Sequence, residues 1–137
     1  MGGNVRTSIR WRFFIHALPA AIWAGMLLAI AIATNLGPIE DVDVVPQQDK
    51  FAHFLEYFVL AFLTAFALIR GTRRSRDWQL RMAIIFPILY GIMLELIQIA
   101  VPERNMSVMD IAANVLGALV GAYVAMHMLE PVAARKD

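Results

Sequence analysis

Four long apolar runs alternate with short polar connections along the chain. They extend from Phe13 to Thr34, from Phe51 to Ile69, from Met82 to Val101 and from Val108 to Leu129. Each is close to the roughly 20 residues that cross a hydrocarbon core of about 30 Å at 1.5 Å per residue. The pattern predicts an all-α, polytopic membrane protein with four transmembrane helices (about 13–34, 51–69, 82–101 and 108–129) in a compact bundle. Residues 13–129 then form one membrane domain, between a basic N-terminal segment (1–12) and a short tail (130–137). Ala31-Ile32-Ala33 has the small-residue spacing of a signal-peptidase site. The apolar run before it exceeds the roughly 7–15 residues of a signal-peptide core, so the first helix is expected to be retained.

Composition agrees with the pattern. The 137 residues are 60% hydrophobic and 17% charged, where a soluble domain is about half apolar and a quarter charged. The net charge of +1 gives no electrostatic reason to expect a nucleic-acid partner. There is no Cys, which excludes disulfides, thiolate metal sites and cysteine nucleophiles. GxSxG, HExxH and the phosphate-cradling glycine loop are also absent.

Basic residues set the expected orientation. Ten of them (Arg6, Arg10, Arg12, Arg70, Arg73, Arg74, Arg76, Arg81, Arg135 and Lys136) fall on one side of a four-span topology, and Lys50 and Arg104 on the other. By the positive-inside rule both termini are expected in the cytoplasm. The loop from Asn35 to Gln48, with Gly37, Pro38 and Pro46 as breakers and Glu40, Asp41 and Asp43 as acids, then faces outward. So does the Pro102–Ser107 connection.

The polar residues inside the spans gather toward that outer side. Asp49, His53, Glu56 and Tyr57 share one side of the second helix, with Lys50 at its edge. Glu95 and Gln98 share a face of the third. Asp110 and Asn114 are one turn apart on the fourth. Their stripe continues through Gly117 and Gly121, a GxxxG that lets another helix approach closely. Polar groups at this depth are costly against lipid, so they are expected to face one another or a water-filled recess, and to mark a site. Glu56 lies deepest along its helix and is expected to be protonated or paired with a neighbouring helix. Gln98 and Asn114 are expected to tie the third and fourth helices together. His16 and His127, near the cytoplasmic ends, could pair across the bundle or simply lie among the headgroups. Pro87 could kink the third helix.

Several chemistries fit these residue types. His53 could be a general base near neutral pH, or a structural residue tied to Asp49 or Glu95. Asp49, Glu95 and Asp110 could offer oxygen ligands to a hard cation. They could equally form an ion-pair network with Lys50 and Arg104, and on that ground no metal and no cofactor are expected. Arg104 suits a phosphate or carboxylate through its planar fork, and could instead pair with Glu103 or Asp110.

The run Asp49-Lys50-Phe51-Ala52-His53-Phe54-Leu55-Glu56-Tyr57, then Glu95-Leu96-Ile97-Gln98, Pro102, Arg104, and Asp110 with Asn114, Gly117 and Gly121, resembles the VanZ-like family. That family is named for a protein associated with low-level teicoplanin resistance. The likeness covers roughly residues 49–121, and the first helix carries no part of it. It implies a small multi-helix membrane protein, and that such proteins lessen susceptibility to glycopeptides.

Taken together, the residues lead to a multi-pass plasma-membrane protein with a polar pocket on the extracytoplasmic side. That pocket would bind an anionic lipid headgroup or a lipid-linked envelope precursor. Its expected ligand-binding set is Asp49, Lys50, His53, Tyr57, Glu95, Gln98, Arg104, Asp110 and Asn114. The alternative is a hydrolase or transferase acting on a lipid-linked phosphate, with His53, Glu95 and Asp110 as catalytic candidates. A proton pathway through Glu56 and Glu95 would need an oligomer, because four helices are few for alternating access. A purely structural membrane subunit remains a fourth reading. Membrane lipids and a membrane-protein partner are the expected company.

Overall fold

In lipid no water satisfies backbone N–H and C=O groups, so an apolar run must pair them internally. In the computed structural model all four runs do so as α-helices: α1 (Gly3–Ala33), α2 (Gln48–Gly71), α3 (Arg76–Ile99) and α4 (Val108–Met128). The structure describes residues 3–33, 48–99 and 108–129, with side chains for 11–32, 50–98 and 108–129.

The helices run past the ends of the apolar pattern. α1 reaches back to Gly3 and α3 to Arg76, into stretches where hydrophobic periodicity has stopped. Arginine is a good helix former, and its stem can lie along apolar surface while its head stays in the polar layer. Only Thr72 to Ser75 separate α2 from α3. The Thr72 amide and hydroxyl both donate to the Leu68 carbonyl (3.0 and 2.7 Å), closing the last turn of α2. The Ser75 carbonyl accepts from the Gln79 amide at 3.0 Å, opening α3. α3 continues through Pro87 as one helix, with the proline ring fully buried.

α2 is the hub: it packs on all three other helices and most extensively on α4, whereas α1 and α4 do not meet among the described residues. Gly117 lies against Phe54 and Gly121 against Phe58, so α4 runs parallel to α2. Trp23 meets Glu56, and His16 meets Phe66, so α1 is antiparallel to α2. Gln79 meets Leu68 and Gly91 meets Tyr57, so α3 is antiparallel too. One end of the bundle therefore carries Arg70, Arg73, Arg74 and Arg76. The other carries the start of α2, the end of α3 and the start of α4.

Small side chains line the interior. Ala61, Ala65, Ala83, Ala118, Ala122 and Ala125 are wholly buried, with Leu68 and Met126 beside them. A second cluster joins Leu27 and Ala31 of α1 to Tyr57, Leu60 and Leu94. Large apolar side chains point outward instead: Ile22, Leu89 and Tyr123 are about 60% exposed. All four helices are long and apolar enough to cross a membrane, and a belt of this kind needs lipid around it. Because lipid tails are as apolar as leucine, close packing and interhelical hydrogen bonds hold such a bundle. Two such bonds fasten α1: Trp23 Nε1 donates to the Glu56 carbonyl (3.0 Å), and the Tyr90 hydroxyl to the Ala24 carbonyl (2.5 Å). At the arginine end, Arg76 donates to the Met126 carbonyl (2.5 Å) and joins α3 to the end of α4.

Candidate functional site

The polar residues come together through two close helix approaches. The first is α2 against α4. A Cβ on Gly117 would collide with the Phe54 carbonyl, and one on Gly121 with the Phe58 carbonyl. Only glycine lets the backbones come so near. With these pairs in register, Asn114 lies level with Phe51, and Asp110 level with the first residues of α2. Asn114 is 3% exposed.

The second approach is α2 against α3. A Cβ on Gly91 would lie 2.8 Å from Cε1 and 3.0 Å from Cζ of Tyr57, so the phenol ring occupies the space the glycine leaves open. Tyr57 is 2% exposed. The same antiparallel register puts Glu95 level with His53, and Gln98 level with Lys50. Glu95 is 6% exposed, and both it and Glu56 lie within electrostatic reach of the Tyr57 hydroxyl. His53 Nδ1 is 3.6 Å from Glu56 Oε2 on the same helix, with both side chains partly exposed. At 1.5 Å of rise per residue, Glu95 is about 6 Å from its helix end, His53 about 7.5 Å and Asn114 about 9 Å. Three helices thus contribute polar groups to one layer within a single turn of depth.

Asp110 is half-buried in the first turn of α4, where the positive end of the helix dipole favours a carboxylate. Lys50 and Gln98 are half-buried at the same end of the bundle. Of the expected set, Arg104 and the Asp49 side chain lie outside the described residues. Among the described residues no group of three or more His, Asp or Glu is placed to hold a metal ion.

The described residues bear on four of these expectations. His53 Nδ1 has the Glu56 carboxylate 3.6 Å away, one turn along its own helix and beyond hydrogen-bond length. Glu56 is deeper along its helix, but Glu95 is the more buried acid, because Gly91 and Tyr57 draw α3 in against α2. Asn114 does not tie α4 to a neighbour through its oxygen: buried Oδ1 has no hydrogen-bond partner. His16 and His127 do not pair. Each turns its Nδ1 to a carbonyl of its own helix, Arg12 and Tyr123 respectively.

Three residues that shape this arrangement drew no attention as sequence. Trp23 and Tyr90 hold α1 over the α2–α3 seam, and Gln79 clasps the end of α2 through the Leu68 carbonyl and the Thr72 hydroxyl. A tryptophan in mid-span was the available signal for the first, since interfacial placement is the rule. Gln79 fell in what reads as a loop.

A multi-pass helical membrane protein with a layer of buried and half-buried acids, amides and a histidine near one end is the class that fold and site define. The VanZ/LLP1 family pattern matches residues 11–129, and the chain belongs to that family. The match takes in α1 as well as the motif-bearing helices. Comparison with curated proteins and with solved structures finds no match.

Proposed function

We propose that the polar layer binds the head group of a membrane-resident phosphate lipid, of the kind that carries envelope precursors, and that the layer faces outward. The observation that carries this reading is Asn114. A buried amide oxygen without a partner costs about 1–3 kcal/mol, and a native structure keeps such a group for a reason. Here the reason is a ligand that supplies the missing donor. Glu56, Glu95 and Asp110 add carboxylate oxygens to the same layer, and a carboxylate can accept more than one donor. Lys50 supplies positive charge for a phosphate, and by sequence Arg104 is a second cation for it. The ten-to-two division of basic residues supports the outward orientation. A protein that holds such a precursor would alter access of glycopeptides to it, as the family resemblance implies.

The test is the lipid that accompanies the full chain through purification in mild detergent. Wild type is expected to carry a polyprenyl phosphate or glycosylated phospholipid, identified by mass spectrometry. Lys50→Ala and Arg104→Ala are expected to lose it together. Identical lipid content in all three proteins would count against the reading.

A further inference from the structure

The opposite end of the bundle carries a second arrangement that the polar layer does not use. A cavity of about 530 Å³ opens there, lined by Thr72, Arg73 and Arg74 of the α2–α3 connection, by Trp78, and by Phe13 of α1. Phe13 and Trp78 also line a second groove of about 340 Å³, which runs between α1, α2 and α3. Phe13 and Trp78 are thus a wall common to both spaces. The groove follows α1 from Ala17 to Ala24, about 10 Å of helix rise toward mid-membrane. Its walls are alanines, Met82 and Phe86, with one hydroxyl, that of Thr64. Thr64 donates that hydroxyl to the Leu60 carbonyl at 2.7 Å, so the groove offers nothing polar to an occupant.

The arginines at the mouth are not equivalent. Arg76 donates to the Met126 carbonyl, and Arg81 to the Asp77 carbonyl. Arg73 and Arg74 are exposed and make no hydrogen bond or ion pair among the described residues. Arg74 has its guanidinium 5.7 Å from the centroid of the Trp78 ring, which holds it over the opening. Asp77 is the nearby acid, exposed in the first turn of α3 and not part of the lining. Two guanidiniums with open donors, above an entirely apolar trough, fit an amphiphile with an anionic head and a hydrocarbon tail.

We propose that this end binds an anionic phospholipid, its phosphate between Arg73 and Arg74 and one acyl chain along the alanine face of α1. The site is separate from the polar layer and does not depend on its ligand.

The full chain is purified and equilibrated with equal amounts of phosphatidylglycerol and phosphatidylcholine of identical acyl chains, and retained lipid is counted by native mass spectrometry. Wild type is expected to prefer phosphatidylglycerol at least tenfold. The double variant Arg73→Gln/Arg74→Gln, both at exposed positions, is expected to lose that preference while still retaining some of either lipid. Ala21→Phe, an exposed position on the groove, is expected to reduce retention of both lipids while leaving the preference among what remains. Arg81→Gln, which removes a charge at the same end but outside both linings, serves as the control and keeps the preference. Equal retention by wild type would overturn the proposal, as would preference surviving in the double-arginine variant. Displacement of phosphatidylglycerol by millimolar glycerol phosphate would also overturn it, since the site would then recognise phosphate without its tail.

Discussion

Placing an alanine at Gly117 or Gly121 tests the helix contact on which the polar layer rests. A Cβ at Gly117 would fall on the carbonyl oxygen of Phe54 and lie 3.0 Å from the Phe58 amide nitrogen. At Gly121 it would meet the Phe58 carbonyl oxygen, with the Phe58 Cα at 2.9 Å. These are backbone atoms, so no rotamer can turn aside, and α4 must move off α2 by roughly an ångström. Overpacking of this kind costs about 1–3 kcal/mol. Alanine returns up to about 1 kcal/mol through its better helix propensity. The net expectation is a loss of about 1–2 kcal/mol, a factor of roughly 5–30 in the folded-to-unfolded ratio. Gly25→Ala is the control, because nothing lies within 4 Å of its Cβ and only the propensity gain remains. The double variant should cost less than the sum, since one displacement of α4 relieves both collisions. Equilibrium unfolding in mixed micelles, followed by tryptophan fluorescence, gives the ratio. If Gly117→Ala and Gly121→Ala match Gly25→Ala, the close α2–α4 approach is wrong, and the register that brings Asn114 level with Phe51 goes with it.

Trp23→Phe removes the hydrogen bond to the Glu56 carbonyl and should lower stability by about 0.5–1.5 kcal/mol in the same unfolding assay, the scale of interhelical bonds in membranes; an unchanged midpoint would show that this bond does not hold α1. Because the chain has no cysteine, orientation can be measured with one introduced thiol at a time. Val108→Cys, 73% exposed at the polar end, should react with an impermeant maleimide on intact cells, and Ser75→Cys only after permeabilisation; the reverse pattern would turn the site to the cytoplasm.

Four helices were legible in the sequence because each apolar run matches the thickness of a bilayer, a constraint that needs no tertiary information. Their ends were not, because arginine, glutamine and tryptophan extend α3 back to Arg76 on propensity and interfacial placement, which leave no hydrophobic period. The GxxxG face was visible as a phase shared with Asp110 and Asn114. Its partner was not, since nothing in the spacing says that Phe54 and Phe58 offer the carbonyls. The same limit applies to the site. Its residue types and depth could be read along each helix. That Gly91 admits Tyr57, and so draws the Glu95 carboxylate in against α2, depends on contacts between helices that a linear pattern does not encode.

The central claim is that the buried oxygen of Asn114 waits for a ligand, and Asn114→Leu, which keeps the branched side-chain skeleton without the amide, tests it with two readouts on one protein. Removing an unsatisfied buried acceptor should leave ligand-free stability unchanged, or raise it by about 1–3 kcal/mol. The same substitution should weaken binding of a polyprenyl phosphate bearing a hydroxylated head group, measured in neutral-lipid nanodiscs, at least tenfold. A variant that binds as well as wild type, or one that loses stability because the amide was holding helices together, would contradict the account.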